Sequence, residues 1–376
     1  MTNLTKVILP GQTIGIIGGG QLGRMMALSA KTMGFRIAVL DPTEQCPCGQ
    51  VADIEITGAY DDLHAIQRLA DVSDIITYEF ENVSFEALAW LSENSYLPQG
   101  AELLKITQDR ITEKEAIIKV GVPVAPYFSV TEVSNIHESI RTLGYPCVMK
   151  RTRGGYDGKG QLVIHSESDI PAASDLLNGG PCVIEKWIPF EKEISVIVTR
   201  KTTGDMKCFP VAENIHEENI LHKSIVPARI GEQTSRNALK LAEQLGERLN
   251  LVGTLGVEMF VTESEEIIVN ELAPRPHNSG HYTMEACQTS QFEQHIRAIC
   301  NWPLGRTDLM SPVVMVNILG DHNDNLLTAI PKLDDWKVHL YGKKDSISKR
   351  KMGHVNLLRS TVEQAFAEIE QSGIWN

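Results

Sequence analysis

The sequence has no surplus of positive charge. Its 35 Lys and Arg face 48 Asp and Glu, a formal net charge of −13 at pH 7. That balance argues against a nucleic-acid binder, whose footprint is usually basic. No apolar run approaches the roughly 20 residues of a membrane span. The charged-then-apolar order of a secretory leader is missing at the N-terminus, which Pro10 and Gly11 interrupt early. The 7 cysteines are odd in number, scattered and without Cys-x-x-Cys spacing; Cys46 and Cys48 flank Pro47 in a loop-like stretch. No thiol metal site is therefore assigned, and a reduced, cytoplasmic compartment fits best. What is present is ordinary for a globular protein. A length of 376 residues, 42% hydrophobic and 22% charged, allows two or three domains that each bury a core.

Two carboxylates stand out. Gly256-Val-Glu-Met-Phe-Val261 and Ile267-Ile-Val-Asn-Glu-Leu272 are apolar, branched runs separated by the polar stretch Thr262-Glu-Ser-Glu-Glu266, the pattern of a β-hairpin. A loop centred between Ser264 and Glu265 sets Glu258 directly across from Glu271. Opposed like charges there are destabilising, unless a hard cation sits between them, and Mg²⁺ is usually held by one or two carboxylates plus substrate phosphates. The rigid, polar segment Ala273-Pro-Arg-Pro-His-Asn-Ser-Gly-His281 follows at once. Either the hairpin is a metal site feeding phosphoryl chemistry, or its charges simply face water.

The first third alternates strand and helix. Strands are expected at residues 13–17, 35–40, 54–57 and 75–80, with helices near 24–33 and 62–70, a βαβ series that predicts a parallel sheet. Gly18-Gly-Gly-Gln-Leu-Gly23 sits between strand and helix, and Asp41 ends the next strand. This resembles a dinucleotide fingerprint. The same glycines serve wherever a tight turn brings a helix N-terminus to an anion, so a nicotinamide or flavin site, a phosphate-facing loop for another substrate and a structural turn all stay open.

In the middle third a helix is expected from about residue 108 to 120 and a strand at Cys147-Val-Met-Lys150. Four glycines then fall between Gly154 and Gly160 in Gly154-Gly-Tyr-Asp-Gly-Lys-Gly-Gln161. Such a loop lets backbone N–H groups approach a polyphosphate, or it is a flexible turn; its spacing is not that of a Walker loop. Further strands are expected over 182–188 and 191–199. Glu193 on the latter can bind ribose hydroxyls or be merely solvated. Near the C-terminus, strands are expected at 313–319 and 336–341 and a helix from Leu357 to about Gln371. Between them residues 343–351 carry five basic residues and one acid, a solvated loop or a local cationic focus for a phosphate.

Lys150, the glycine-rich loop, Glu185-Lys-Trp-Ile188 and the Glu258/Glu271 pair occur in the order of the ATP-grasp fold. With Gly18–Gly23, Tyr78-Glu-Phe-Glu-Asn82, Pro274-Arg-Pro-His-Asn-Ser-Gly-His281 and Arg350-Lys-Met-Gly-His354 added, nearly the whole chain resembles the 5-(carboxyamino)imidazole ribonucleotide synthases of bacterial purine synthesis. The resemblance implies an α/β ATP-grasp fold with an N-terminal Rossmann-like domain (residues 1–107), an ATP-grasp domain (108–302) and a small C-terminal domain (303–376).

It also implies an ATP-dependent ligase using Mg²⁺. The substrates would be ATP, bicarbonate and 5-aminoimidazole ribonucleotide, and the reaction would pass through carboxyphosphate. Arg110 and Lys150 would contact ATP phosphates, beneath a loop of Gly155, Tyr156, Asp157, Gly158, Lys159, Gly160 and Gln161. Glu185, Lys186, Trp187 and Ile188 would lie along adenine, with Glu193 on the ribose and His216 in the same pocket. Glu258 and Glu271 would hold Mg²⁺, with Asn270 close by. Gln21, Glu79, Tyr156, Asp157, Asn278, Ser279, Arg350 and Lys351 would face the ribonucleotide, and Arg275, His277 and Lys343 would serve the chemistry. A homodimer without nucleic-acid or membrane partners is the family expectation. Two rivals remain: a formate-using glycinamide ribonucleotide transformylase, and an NAD(P)-dependent oxidoreductase built on Gly18–Gly23.

Overall fold

Three sheets organise the chain in a computed structural model that describes residues 6–155 and 158–375. The first is parallel and contains β1 (Thr13–Ile17), β2 (Arg36–Asp41), β3 (Ile54–Thr57) and β4 (Ile75–Tyr78), in the order β3-β2-β1-β4. Every residue of β1 is buried, as a strand covered on both faces requires. Met25, Met26 and Ala30 of the helix Gln21–Thr32 pack on one face with Ile296 of Gln291–Ile299. Ala65, Ile66 and Leu69 of Leu63–Asp71 and Leu88 of Phe85–Asn94 cover the other. The expected βαβ series is present, but β4 stops at Tyr78 rather than at residue 80, and the first helix starts at Gln21 rather than near residue 24.

The second sheet is antiparallel, in the order β5-β8-β6-β7, with β5 (Tyr127–Val130), β6 (Cys147–Arg151), β7 (Gln161–Ile164) and β8 (Cys182–Lys186). Met149 and Ile184 face Ile136 and Ile140 of the helix Val133–Leu143. Alternation then turns Val148, Lys150 and Glu185 to the opposite face.

The third sheet has nine strands. They are β9 (Phe190–Arg200), β10 (Met206–Cys208), β11 (Ala212–Glu217), β12 (Ile220–Val226), β13 (Gly253–Thr262), β14 (Ile267–Ala273), β15 (Val313–Leu319), β16 (Lys337–Leu340) and β17 (Lys351–Leu358), in the order β14-β13-β9-β11-β12-β15-β17-β16 with β10 beside β9. The helix Glu232–Arg248 buries Ala238, Ala242 and Leu245 against Val196 and Val257. The C-terminal strands extend this sheet through the antiparallel pairing of β12 with β15. β17 is where the sequence reading assigned the wrong element: Leu357 was expected to open a helix, yet it pairs with Val314 and is fully buried. The last helix, Val362–Ser372, begins where Thr361 accepts a hydrogen bond from the Gln364 N–H, a side-chain N-cap.

The carboxylate hairpin formed by an unexpected route. Near the turn the partners are Val261↔Ile267 and Met259↔Val269, one residue away from the register a loop centred at 264/265 demands. Glu265 adopts φ 60° in that turn. A bulge at Asn270 then shifts the pairing by one, so Glu258 does oppose Glu271. A bulge re-aims side chains, and here Asn270 and Glu271 both reach the same cleft.

Candidate active site

A cleft of about 810 Å³ lies where the three sheets meet, walled by the loop after β1, the end of β4, the inner face of β6–β8, and β9, β11, β13 and β14. Most of the expected site residues line it: Gln21, Glu79, Arg110, Lys150, Gly155, Gly158, Lys159, Gln161, Glu185, Lys186, Trp187, Ile188, Glu193, His216, Glu258, Asn270, Glu271, Arg275, His277, Asn278 and Lys351. Gly160, Ser279, Lys343 and Arg350 are not on its wall. Tyr156 and Asp157 lie outside the described residues.

The glycine loop is already occupied by an internal carboxyl group. Glu79, just past β4, accepts hydrogen bonds from the N–H groups of Gly20 and, at 2.5 Å, Gly23. A Cβ on Gly18 would come 2.4 Å from Glu79 Cγ, so this close approach needs glycine. Asp41 is committed too, accepting from Gly19 N–H (2.7 Å) and from the Tyr60 hydroxyl (2.6 Å). Both features behind the dinucleotide reading therefore serve the protein's own carboxylates.

A second cluster is cationic. The helix Arg110–Lys119 starts at Asp109, whose side chain accepts from Ile111 and Thr112 N–H. It carries Arg110, Glu113, Lys114 and Ile117 on one stripe, at the i, i+3, i+4, i+7 spacing normally reserved for apolar residues. Glu113 and Lys114 are buried. Glu185 on β8 pairs with Lys114 (3.2 Å) and Lys150 (3.1 Å). Burial alone would raise the Glu185 carboxyl, but Lys150, Lys114 and Arg110 outweigh it and bring it down to about 2. Its folded value thus lies below its ordinary 4.5. The stability it contributes is full above about pH 4.5 and drains away as pH falls toward 2. Glu185→Gln is expected to cost about 3–5 kcal/mol, because it leaves a buried ammonium uncompensated; chemical denaturation at pH 7 measures it, and the loss should shrink toward pH 3.

Glu258 and Glu271 divide their roles. Glu271 lies 3.1 Å from Arg110. Burial pushes it up, but Arg110 and then Lys150 win and hold it below the usual range. Glu258 moves the other way, raised by burial and then by the charge of Glu271. The buried Asn270 Oδ1 has no hydrogen-bond partner. Two carboxylates and an unsatisfied amide oxygen suit a hard divalent cation that also takes ligand phosphate oxygens. Among the described residues, no group of three or more His, Cys, Asp or Glu converges into a site that needs no such ligand.

The loop after β14 presents Arg275 and His277. Arg275 Nη2 lies 2.8 Å from Glu81 Oε1, a salt bridge made while Arg275 still lines the cleft. His277 Nε2 lies 3.3 Å from Glu258 Oε1. Burial, then Arg275 and Lys351, depress its imidazole well below 6.5, so it is neutral at pH 7. Glu193 and His216 form a 2.7 Å pair. Burial lowers the His216 imidazole, but Glu193 and then Glu258 together raise it further than burial takes away.

The basic segment splits. Lys351, at the start of β17, lines the cleft. Lys343 donates to Gln21 Oε1 (2.6 Å) and to the Lys351 carbonyl (2.6 Å), tying two wall residues together from behind. Arg350 is exposed and donates to the Asp345 carbonyl (3.1 Å).

Sequence reasoning overlooked Glu81, Glu113 and Lys114. Glu113 Oε1 accepts from the Leu272 N–H (2.7 Å), one residue from Glu271. For Glu113 and Lys114 the signal was charge at core-facing helical spacing; Glu81 lies in the loop after β4, where no such spacing applies.

Comparison with known proteins covers nearly the whole chain. The ribonucleotide synthetase preATP-grasp domain matches residues 11–108, the ATP-grasp domain residues 115–292, and the phosphoribosylaminoimidazole carboxylase C-terminal domain residues 313–368. The N5-carboxyaminoimidazole ribonucleotide synthase of Bacillus subtilis (strain 168) is 53% identical over 364 residues, 97% of this chain and 96% of that protein. A crystal structure of an ADP complex of N5-carboxyaminoimidazole ribonucleotide synthetase superposes with a TM-score of 0.97 at 60% identity, covering 99% of this chain and 98% of that one. The Aspergillus clavatus N5-carboxyaminoimidazole synthase in complex with ADP and 5-aminoimidazole ribonucleotide gives 0.90 at 30% identity, over 96% and 97%. By sequence and by shape, the chain belongs to the N5-carboxyaminoimidazole ribonucleotide synthase family of ATP-grasp proteins.

Proposed function

We propose that this protein is an ATP-dependent ligase that carboxylates 5-aminoimidazole ribonucleotide with bicarbonate, giving N5-carboxyaminoimidazole ribonucleotide, ADP and phosphate in purine biosynthesis. The observation that carries the reading is a convergence in one cleft: Arg110 and Lys150 for a polyphosphate, Arg275 and His277 for a reactive anion, and Lys351 for a second phosphate. Bicarbonate attacks the terminal phosphorus and ADP leaves. The amine nitrogen of the ribonucleotide then attacks the carboxyl carbon of carboxyphosphate and phosphate departs. Such chemistry is mostly positioning and charge stabilisation.

The cationic wall holds ATP phosphates, while residues 185–188, Glu193 and His216 hold the nucleoside. Glu258 and Glu271, with Asn270, hold Mg²⁺, which when bound neutralises phosphate charge. Gln21, Glu79, Asn278 and Lys351 face the ribonucleotide, and Lys343 and Ser279 act behind that wall. Domain boundaries near residues 107 and 302, a homodimer and a cytoplasmic setting complete the proposal. No helix among the described residues is long and apolar enough to cross a membrane.

Phosphate release from ATP, with the ribonucleotide product assayed alongside, tests the function. Release should require both bicarbonate and the aminoimidazole ribonucleotide. Formate-dependent turnover with glycinamide ribonucleotide, or NAD(P) reduction without ATP cleavage, would replace this reading. Lys351→Ala should raise KM for the ribonucleotide about ten- to hundredfold, the equivalent of one charge-assisted hydrogen bond to phosphate, with KM for ATP nearly unchanged. Arg350→Ala should do much less. Equal changes in both constants would take Lys351 off the ribonucleotide.

A further inference from the structure

Three buried side chains of the nine-stranded sheet and Ser279, in the turn after β14, form a chain of hydrogen bonds in which every donor points toward His277. Ser224 on β12 donates to Asn214 Oδ1 on β11 (2.8 Å). Asn214 Nδ2 donates to Ser195 Oγ on β9 (2.9 Å), and Ser195 Oγ donates to Ser279 Oγ (2.7 Å). Ser279 Oγ lies 2.8 Å from His277 Nδ1. Ser195, Ser224 and Ser279 are at most 1% exposed and Asn214 6%. Cross-strand pairing of Asn214 with Ser224 and of Ala212 with Ser195 brings the chain together.

Proton accounting fixes its direction. Ser279 receives a proton from Ser195, so its own single hydroxyl proton is free to go to Nδ1. The backbone N–H of Ser279 also points at Nδ1, at 3.4 Å. A ring nitrogen that meets two donors has no room for a proton of its own. The proton therefore sits on Nε2, the atom that faces Glu258 in the cleft. Gln291 secures the backbone behind the ring: its Oε1 accepts from His277 N–H (2.8 Å) and its Nε2 donates to the His277 carbonyl (2.7 Å). Buried polar chains are costly unless each member is satisfied, and this one ends on Nδ1, the ring nitrogen that is not in contact with Glu258.

We propose that Ser279 and Ser195, aligned by Asn214 and Ser224, are positioning residues that hold His277 in its Nε2–H tautomer, so that it meets carboxyphosphate as a hydrogen-bond donor and not as a base. What the donor faces rests on the carboxylation reading above; the tautomer itself does not. An Nε2 already carrying a proton does not accept one from the amine. As the nitrogen–carbon bond forms and the carbon–oxygen bond to phosphate breaks, the proton shed by nitrogen leaves on the departing phosphate.

Nitrogen-15 NMR of histidine-labelled protein without substrates reads the tautomer directly, with His277→Asn assigning the signals. Nδ1 should be unprotonated and Nε2 protonated in the parent protein. In Ser279→Ala, and in Ser195→Ala should the first variant fold poorly, Nδ1 should gain partial protonation. Steady-state kinetics of the same variants should show kcat down about ten- to hundredfold, the usual cost of losing a partner that orients a functional histidine, with KM for ATP within twofold. A protonated Nδ1 in the parent protein overturns the proposal, as do folded alanine variants with parental tautomer and kcat. An Nε2–H tautomer in a protein that carboxylates nothing would instead overturn the proposed function and leave the assignment of the ring standing.

Discussion

Arg275→Ala is expected to keep ATP binding yet slow ATP cleavage sharply, and to make the residual cleavage yield phosphate without carboxylated product. An electrophile that is dianionic and easily hydrolysed needs fixed positive charge and exclusion of water. Arg275 is permanently charged and able to grip two oxygens, between two prolines that fix φ on either side. Its 2.8 Å contact with Glu81 holds the guanidinium in place before any substrate arrives, which lowers the entropy lost on binding. Losing one preorganised donor of this kind typically costs about 10²–10³ in kcat. His277→Ala should uncouple as well. ADP and carboxylated ribonucleotide measured in one assay decide the matter, and a parental ratio at parental rate in both variants would remove the loop from the chemistry.

Glu271→Gln and Glu258→Gln should each lower turnover at ordinary Mg²⁺ by at least about 10²-fold, since each weakens a ligand to the charge that stabilises phosphoryl transfer. Their effects on the metal-free fold should differ in sign. From sequence alone, removal of either charge should relieve repulsion between opposed carboxylates. The structure restricts that to Glu258, whose carboxyl is raised by burial and by Glu271. A carboxyl raised in the folded state loses stability as pH climbs from its ordinary value through the folded one. Glu258→Gln should therefore be neutral or stabilising by about 0.2–1 kcal/mol near pH 8. Glu271→Gln leaves Arg110, 18% exposed at its side chain, without its nearest carboxylate and should destabilise. Denaturation in EDTA separates the two signs; equal destabilisation would contradict the division of roles.

The strands and the two carboxylates were legible because alternation and branched residues are local properties. Even so, the expected register at the turn was off by one residue, and only the bulge at Asn270 brings Glu258 opposite Glu271. A bulge at a polar residue leaves the apolar run before it unchanged, so nothing in Ile267–Val269 announces it. β17 was lost for a different reason: Arg350 and Lys351 made the segment look like a charged loop, while its burial comes from β15 and β16 on either side. The stripe of Glu113 and Lys114 was invisible because its partners, Leu272 and Glu185, lie far away in sequence. The hydroxyl chain behind His277 draws on residues 195, 214, 224 and 279, which only the assembled sheet brings together.

Glu79 changes what a glycine signature signifies. In a dinucleotide enzyme the loop waits for a guest; here the tenant is built in. Two amides clasp the carboxylate and freeze its rotamer, so the motif has been converted from a receptor into a mount. Any diphosphate competing for those amides faces a rival at effectively unlimited local concentration, tethered to β4 by a single residue. Retrofitting this domain for NAD would thus begin by evicting Glu79, not by adding glycines, and the eviction would strip the cleft of one of its own carboxylates.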